Sequence, residues 1–101
     1  MRLSFNHHST IEQAKMYLVT YDLHKPEKEY KPLIDALESY PDRLHVLAST
    51  WLLSTTGTAQ QISDRLRPLM DRDDHILIIK VSNDYQGWLP DASNKWINSH
   101  F

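Results

Sequence analysis

The residue best placed to do chemistry in this chain is an acid that closes an apolar run and stands in front of a helix-breaking loop. Residues Met16 to Leu23 read MYLVTYDL, so the run ends at Asp22 and is followed by His24-Lys25-Pro26. A carboxylate at the C-terminal end of a buried strand is held rigidly beside a loop, which is where α/β folds place working residues. His24, two residues on, could serve as a general base or an added ligand. Both residues also have ordinary roles. An aspartate before a loop commonly caps the turn or accepts backbone N–H groups, and a loop histidine with no partner to fix its geometry is simply exposed. His7-His8 would form a metal pair only if ordered. Trp51, Trp88 and Trp96 could stack nucleic-acid bases, but large aromatics in so small a domain usually fill its core or interface, and packing is expected for Trp51 and Trp96.

Several chemistries are excluded by composition. Cysteine is absent, which removes disulfides, thiol nucleophiles and cysteine-ligated zinc. Gly57 and Gly87 are the only glycines, so no Gly-rich phosphate loop can form, and neither H-E-x-x-H nor G-x-S-x-G occurs.

The elements that must position Asp22 can be read from periodicity. Met16 to Asp22 alternates with apolar groups on both faces, the pattern of a central strand covered on two sides. Leu33, Ile34 and Leu37 predict a helix over Tyr30 to Tyr40, with Pro32 tolerated in its first turn. Arg43 to Thr55 is too long for an ordinary strand, so it is either one bent strand or two strands folded around Ala48-Ser49. Thr58 and Gln61 make a T-x-x-Q capping box for a second helix that carries Ile62, Leu66 and Leu69 and stops near Asp71. His75 to Val81, with four consecutive apolar residues, predicts a buried strand. A further short strand is expected over Asp84 to Leu89, then a helix from Ala92 to Ser99 with Asp91 as N-cap and Trp96 and Ile97 on its packing side.

This order predicts an α+β ferredoxin-like sandwich, βαββαβ, with an antiparallel sheet, two helices on one face and a C-terminal strand and helix extension. Such a fold leaves one sheet face bare, and a second copy of the chain is the economical cover, so a homodimer is expected. With 101 residues the chain suits one domain, placed at 16–101, with 1–15 as a flexible extension. The extension is too polar for a signal peptide, and no apolar run approaches the roughly 20 residues needed to span a bilayer, so the expectation is a cytoplasmic protein without membrane attachment. A formal net charge of -2 gives no global basic footprint for nucleic acid. Lys25, Lys28, Lys31, Arg43, Arg65 and Arg67 are the candidates for a local patch, but interleaved acids make a mixed solvated face the simpler reading.

Four segments taken together resemble a known family: Tyr21-Asp22-Leu23, Ser49-Thr50-Trp51, the helix from Thr58, and D-x-I-L-I-I-K at Asp74 to Lys80. Their order and spacing, over about residues 16 to 89, are similar to those of the Cas-two family of small CRISPR-associated nucleases, of the related SinR-like proteins and, more distantly, of the VapD toxins. Trp51 stands where the nucleases usually carry Phe, which leans towards the stand-alone relatives. The resemblance implies a ferredoxin-like homodimer acting on DNA or RNA, either as a metal-dependent nuclease or as a non-catalytic binding scaffold. It implies that Asp22 meets its symmetry mate across the dimer to hold Mg²⁺, and that the Ser49 hydroxyl positions a phosphate or water. A bend residue satisfying local backbone is the ordinary alternative for Ser49.

Overall fold

The computed structural model describes residues 13–101, and its centre is β1 (Lys15–Asp22). Tyr17, Val19 and Tyr21 of this strand point to one side and are buried, while Met16, Leu18, Thr20 and Asp22 point to the other. β1 is flanked by β3 (Thr50–Thr55) and β4 (His75–Lys80), and β3 is flanked in turn by β2 (Arg43–Leu47). The sheet order is β2-β3-β1-β4 and every pairing is antiparallel. The described residues are therefore α+β, with one four-stranded antiparallel sheet and three α-helices.

α1 (Lys31–Glu38) and α2 (Ala59–Leu66) cover the side to which Tyr17, Val19 and Tyr21 point. Leu33 and Leu37 come from α1, Ile62 and Leu66 from α2, and Trp51 and Leu53 from β3. These side chains form the main core together with three residues of β1. Trp51 is buried with its indole N–H satisfied: it donates to the Tyr21 hydroxyl at 3.1 Å, which donates to Glu27 at 3.0 Å. This chain leaves no unpaired polar atom on the largest core side chain, whose loss would be costly if it were. The capping box at α2 forms as the T-x-x-Q pattern predicts, with Gln61 N–H donating to Thr58 Oγ1 at 3.1 Å and Thr58 N–H to Gln61 Oε1 at 2.9 Å.

The two-strand option for the long β stretch is the one the chain takes, and the expectation departs from the structure elsewhere: His75 to Val81, expected as a buried strand, is the edge strand β4, which ends at Lys80 and has no buried residue. The long β stretch resolves into β2 and β3 around Ala48-Ser49, and a bulge after His45 shifts the register so that Leu47 lies opposite Thr50. The extra residue turns Leu47 to the side away from the main core, where it is 58% exposed. Residues Asp84 to Leu89 form no strand, so the C-terminal extension is a helix alone, α3 (Asp91–Asn98). Pro90 occupies its N-cap position and Asp91 is the first helical residue, without a side-chain capping bond. Lastly, the second sheet face is only half bare. Ile97 of α3 packs on Met16 and Leu52, with Leu18, Leu44, Val46, Leu89 and Trp96 around them, which covers the β2 and β3 end. The β1 and β4 end of that face stays open, with Leu77 54% and Ile79 47% exposed.

β1 begins at Lys15, one residue inside the expected extension; the expectation of flexibility for residues 1–12, and with it the His7-His8 pair, lies outside the described residues. Among the described residues, no helix is long and apolar enough to cross a membrane.

Candidate functional site

The end of β1 and the start of β4 lie side by side, Asp22 opposite His75, and this register brings two loops together. The loop after β1 supplies His24, and the turn before β4 supplies Asp71 and Asp74. Asp74 is the one buried charged residue among those described, at 3% exposure, and its carboxylate is fully engaged. Oδ1 accepts from the His24 backbone N–H at 2.9 Å, from the His24 ring at Nδ1 at 2.7 Å and from the Tyr30 hydroxyl at 2.9 Å; Oδ2 accepts from the Asp71 N–H at 2.7 Å. His24 Nε2 faces Asp71 at 3.6 Å, and Asp71 also pairs with Lys25 at 3.0 Å. His24 is thus not the partnerless loop residue the sequence suggests, because Asp74 fixes its ring.

The electrostatics follow from these contacts. Burial pushes the Asp74 carboxyl up, but the hydrogen bonds from His24, Asp71 and Tyr30 outweigh burial and hold it well below the usual carboxylate range. The bond to Asp74 raises the His24 pKa above its ordinary value, with the charges of Asp74 and Asp71 adding to this and partial burial and Lys25 opposing it. Tyr30 is pushed up to about 12, first by burial and then by its bond to Asp74. The arrangement is an imidazole clamped to a buried carboxylate, which ties the β1 loop to the β4 turn.

A pH dependence follows. His24 has a raised pKa in the fold, so its contribution is fully present below about 6.5 and is lost as pH rises through the higher folded value. Asp74 has a lowered pKa, so its contribution is present above about 3.9 and is lost on acidification. The clamp is strongest between these limits. Thermal unfolding followed by circular dichroism should give a midpoint that falls as pH climbs above about 6.5, and His24→Gln should flatten that fall. An unchanged slope in the variant would show that His24 does not carry it.

His24, Asp71 and Asp74 could also hold a metal ion by spacing, since one donor atom of each lies within 4.8 Å of the others. Their donor chemistry limits this. Both Asp74 oxygens already accept hydrogen bonds and Lys25 sits on Asp71, so an ion there would have to displace a proton from His24 and the Lys25 contact.

Asp22 lies at the same end of the sheet but on its other face. It is exposed, and no hydrogen bond or ion pair to its carboxylate is found among the described residues. Ser49 lies in the exposed turn beside it: its backbone carbonyl accepts the Tyr21 N–H at 3.1 Å and the Thr20 hydroxyl at 3.2 Å. The contact of Ser49 with β1 thus runs through its backbone. His75, which sequence reasoning passed over as the first residue of a buried strand, is exposed and directly opposite Asp22. Asp22 and His75 line one shallow depression with Thr20 and Leu77. An alternation count that begins at Asp22 and continues across a strand pair would have shown this, but the pairing itself is not in the sequence.

The architecture has a solved counterpart. The crystal structure of a hypothetical protein from Thermus thermophilus is similar to this chain, with 25% identity and a TM-score of 0.56, covering 76% of this chain and 95% of that one. No protein-family model and no curated protein matches the chain. The likeness concerns a shared fold over most of both chains.

Part of the candidate basic patch is engaged within the molecule. Lys25 pairs with Asp71, Lys31 pairs with Asp35 at 2.9 Å, the Arg65 guanidinium lies 4.7 Å from the Tyr40 ring centroid, and Arg67 donates to the Asp71 carbonyl at 2.7 Å. The two lysine–aspartate pairs are exposed and add little stability, but they lower the positive charge available to a phosphate backbone, whereas the two arginines keep theirs.

Proposed function

We propose that this chain is a Cas-two-like protein of ferredoxin-like fold that works as a homodimer, cleaving RNA or DNA with a divalent cation such as Mg²⁺ held between the two copies of Asp22. The observation that carries the reading is the coincidence of two features on one surface. The half of the sheet face that α3 leaves open carries the exposed apolar side chains of Leu77 and Ile79, and it also carries Asp22, whose carboxylate has no partner among the described residues. A surface that pairs two copies would therefore bring the two acids towards each other. The strand order β2-β3-β1-β4 with α1 and α2 on one side supports the split βαβ arrangement.

The donor set suits the ion. Two carboxylates and several waters match the preference of Mg²⁺ for few protein oxygens, and a cation bound there supplies Lewis-acid charge and an acidified water. Asp22 holds its place through β1, whose neighbouring residue Tyr21 is anchored by the Ser49 carbonyl and by Trp51. In this reading the Ser49 hydroxyl orients a phosphate oxygen or a water.

A second reading, a non-catalytic dimeric module that binds protein, has an observation of its own. An open groove of about 570 Å³ beside α3 is lined by Leu18, Leu52, Tyr85, Trp88 and Phe101, among others, and Trp88 is fully exposed. Nucleic acid bound through the basic helix face would have to compete with Asp71 for Lys25 and with Asp35 for Lys31.

Sedimentation combined with a cleavage assay tests the first reading. Wild-type protein is expected to sediment as a dimer and to cut RNA or DNA in Mg²⁺ or Mn²⁺, and Leu77→Glu on the open face is expected to give a folded monomer without activity. A dimer that cuts neither nucleic acid favours the second reading, and a monomer with full metal-dependent turnover rejects the shared site.

A further inference from the structure

We infer that His75 is a second metal ligand beside Asp22, which makes the open-face site a mixed imidazole and carboxylate site suited to Mn²⁺, Co²⁺ or Zn²⁺ as well as Mg²⁺. The inference rests on the proposed role of Asp22 and deepens it by naming a further ligand and the class of ion.

Three observations support it. First, Asp22 and His75 are direct partners in the antiparallel pairing of β1 with β4, so their side chains leave the same face of the sheet. Cross-strand partners have Cβ atoms about 4.5–5.5 Å apart. Two donors on one ion with bonds of about 2.0–2.1 Å stand roughly 3.3 Å apart, which a carboxylate and an imidazole on such Cβ atoms can reach without moving the backbone. Second, both residues are exposed and line the same open depression at this end of the sheet. Third, neither side chain is consumed elsewhere: among the described residues, no hydrogen bond or ion pair engages the Asp22 carboxylate or the His75 ring. This is the opposite of the His24 cluster, where every donor has a partner.

The chemistry of the pair sets the ion. Carboxylate and water alone suit Mg²⁺, whereas an imidazole adds a nitrogen donor that first-row transition ions bind more strongly. One chain offers two ligands. Two chains related by a twofold axis would offer four, enough to complete a transition-metal site with water in the remaining positions. His75 is exposed at the start of β4, an edge strand, so no strand of the sheet lies outside it.

Cobalt titration followed by visible absorbance tests this, because a nitrogen ligand alters the Co²⁺ spectrum irrespective of catalysis. The protein is compared with His75→Gln and Asp22→Asn, both exposed positions, so that ions held elsewhere cancel in the difference. Expected results are a spectral change and a loss of Co²⁺ affinity of roughly tenfold or more in His75→Gln, with Mg²⁺ affinity little altered, and loss of both ions in Asp22→Asn. If His75→Gln leaves the Co²⁺ spectrum and affinity unchanged while Asp22→Asn weakens binding, His75 is not a ligand and the carboxylate site stands without it. If His75→Gln weakens Co²⁺ binding and Asp22→Asn does not, the pairing of the two residues is overturned. A stoichiometry of one ion per chain in a monomer, still sensitive to both substitutions, keeps the pair as ligands and rejects the shared dimeric site.

Discussion

Asp22→Ala is expected to abolish metal-dependent cleavage, by about 100-fold or more, while leaving the fold and the dimer in place. The magnitude follows from position. Residues that merely orient a metal ligand are worth about 10–100-fold, so removal of the ligand itself from both halves of a symmetric site should cost at least as much. The structural cost is small for a different reason: Asp22 is exposed, ends its strand, and has no partner among the described residues, so its removal leaves no buried group unsatisfied. The measurement is turnover on RNA and DNA in Mg²⁺ and in Mn²⁺, with circular dichroism and sedimentation on the same samples. Undiminished cleavage by the variant would reject Asp22 as the metal ligand. Loss of cleavage together with loss of the dimer would instead assign Asp22 to the interface.

The largest effect on stability is expected at Asp74. Its replacement by alanine removes the acceptor for four hydrogen bonds at once and leaves the Tyr30 hydroxyl, the His24 ring and two backbone N–H groups without their partner. A fall in the thermal midpoint of roughly 10 °C is expected at neutral pH for a domain of this size. Asp74→Asn should fall between wild type and alanine, because its carbonyl can replace one oxygen while its NH₂ would face the Asp71 N–H or the His24 ring. The decisive comparison is with His24→Gln. Asp74 serves Tyr30 and Asp71 as well as His24, so Asp74→Ala must cost clearly more than His24→Gln, and equal effects would mean that the buried carboxylate holds only its histidine.

These two positions also show what could be read from the chain and what could not. Local signals were legible. Thr58 and Gln61 are three residues apart, and the capping box they predict needs only a helical turn to form. The alternation of Tyr17, Val19 and Tyr21 needs only an extended strand. The fold at Ala48-Ser49 was legible as one of two options, because a run of thirteen residues is long for one strand. By contrast, His24 and Asp74 are 50 residues apart and meet only after β1 and β4 have paired, so a reading along the chain sees a loop histidine and an acid at the head of a strand. The same limit hid His75. The side that Leu47 takes was not legible, because one bulged residue reverses a period of two and no residue type announces a bulge. Asp84 to Leu89 has aromatic and apolar residues that favour strands, yet a strand also requires a free edge in the right place, and here that stretch runs beside α3 instead.

The three tryptophans have become distinguishable in a way their sequence positions do not suggest. Trp51 is 2% exposed and bonded to Tyr21, Trp96 is partly covered and stacked 3.8 Å from His100, and Trp88 is fully open beside the groove. Fluorescence therefore has three separate vantage points in this molecule. A collisional quencher reaches Trp88 first, so shielding of that emission reports whatever settles into the groove. The emission of Trp51 follows the integrity of the core, and neither signal needs a label to be introduced.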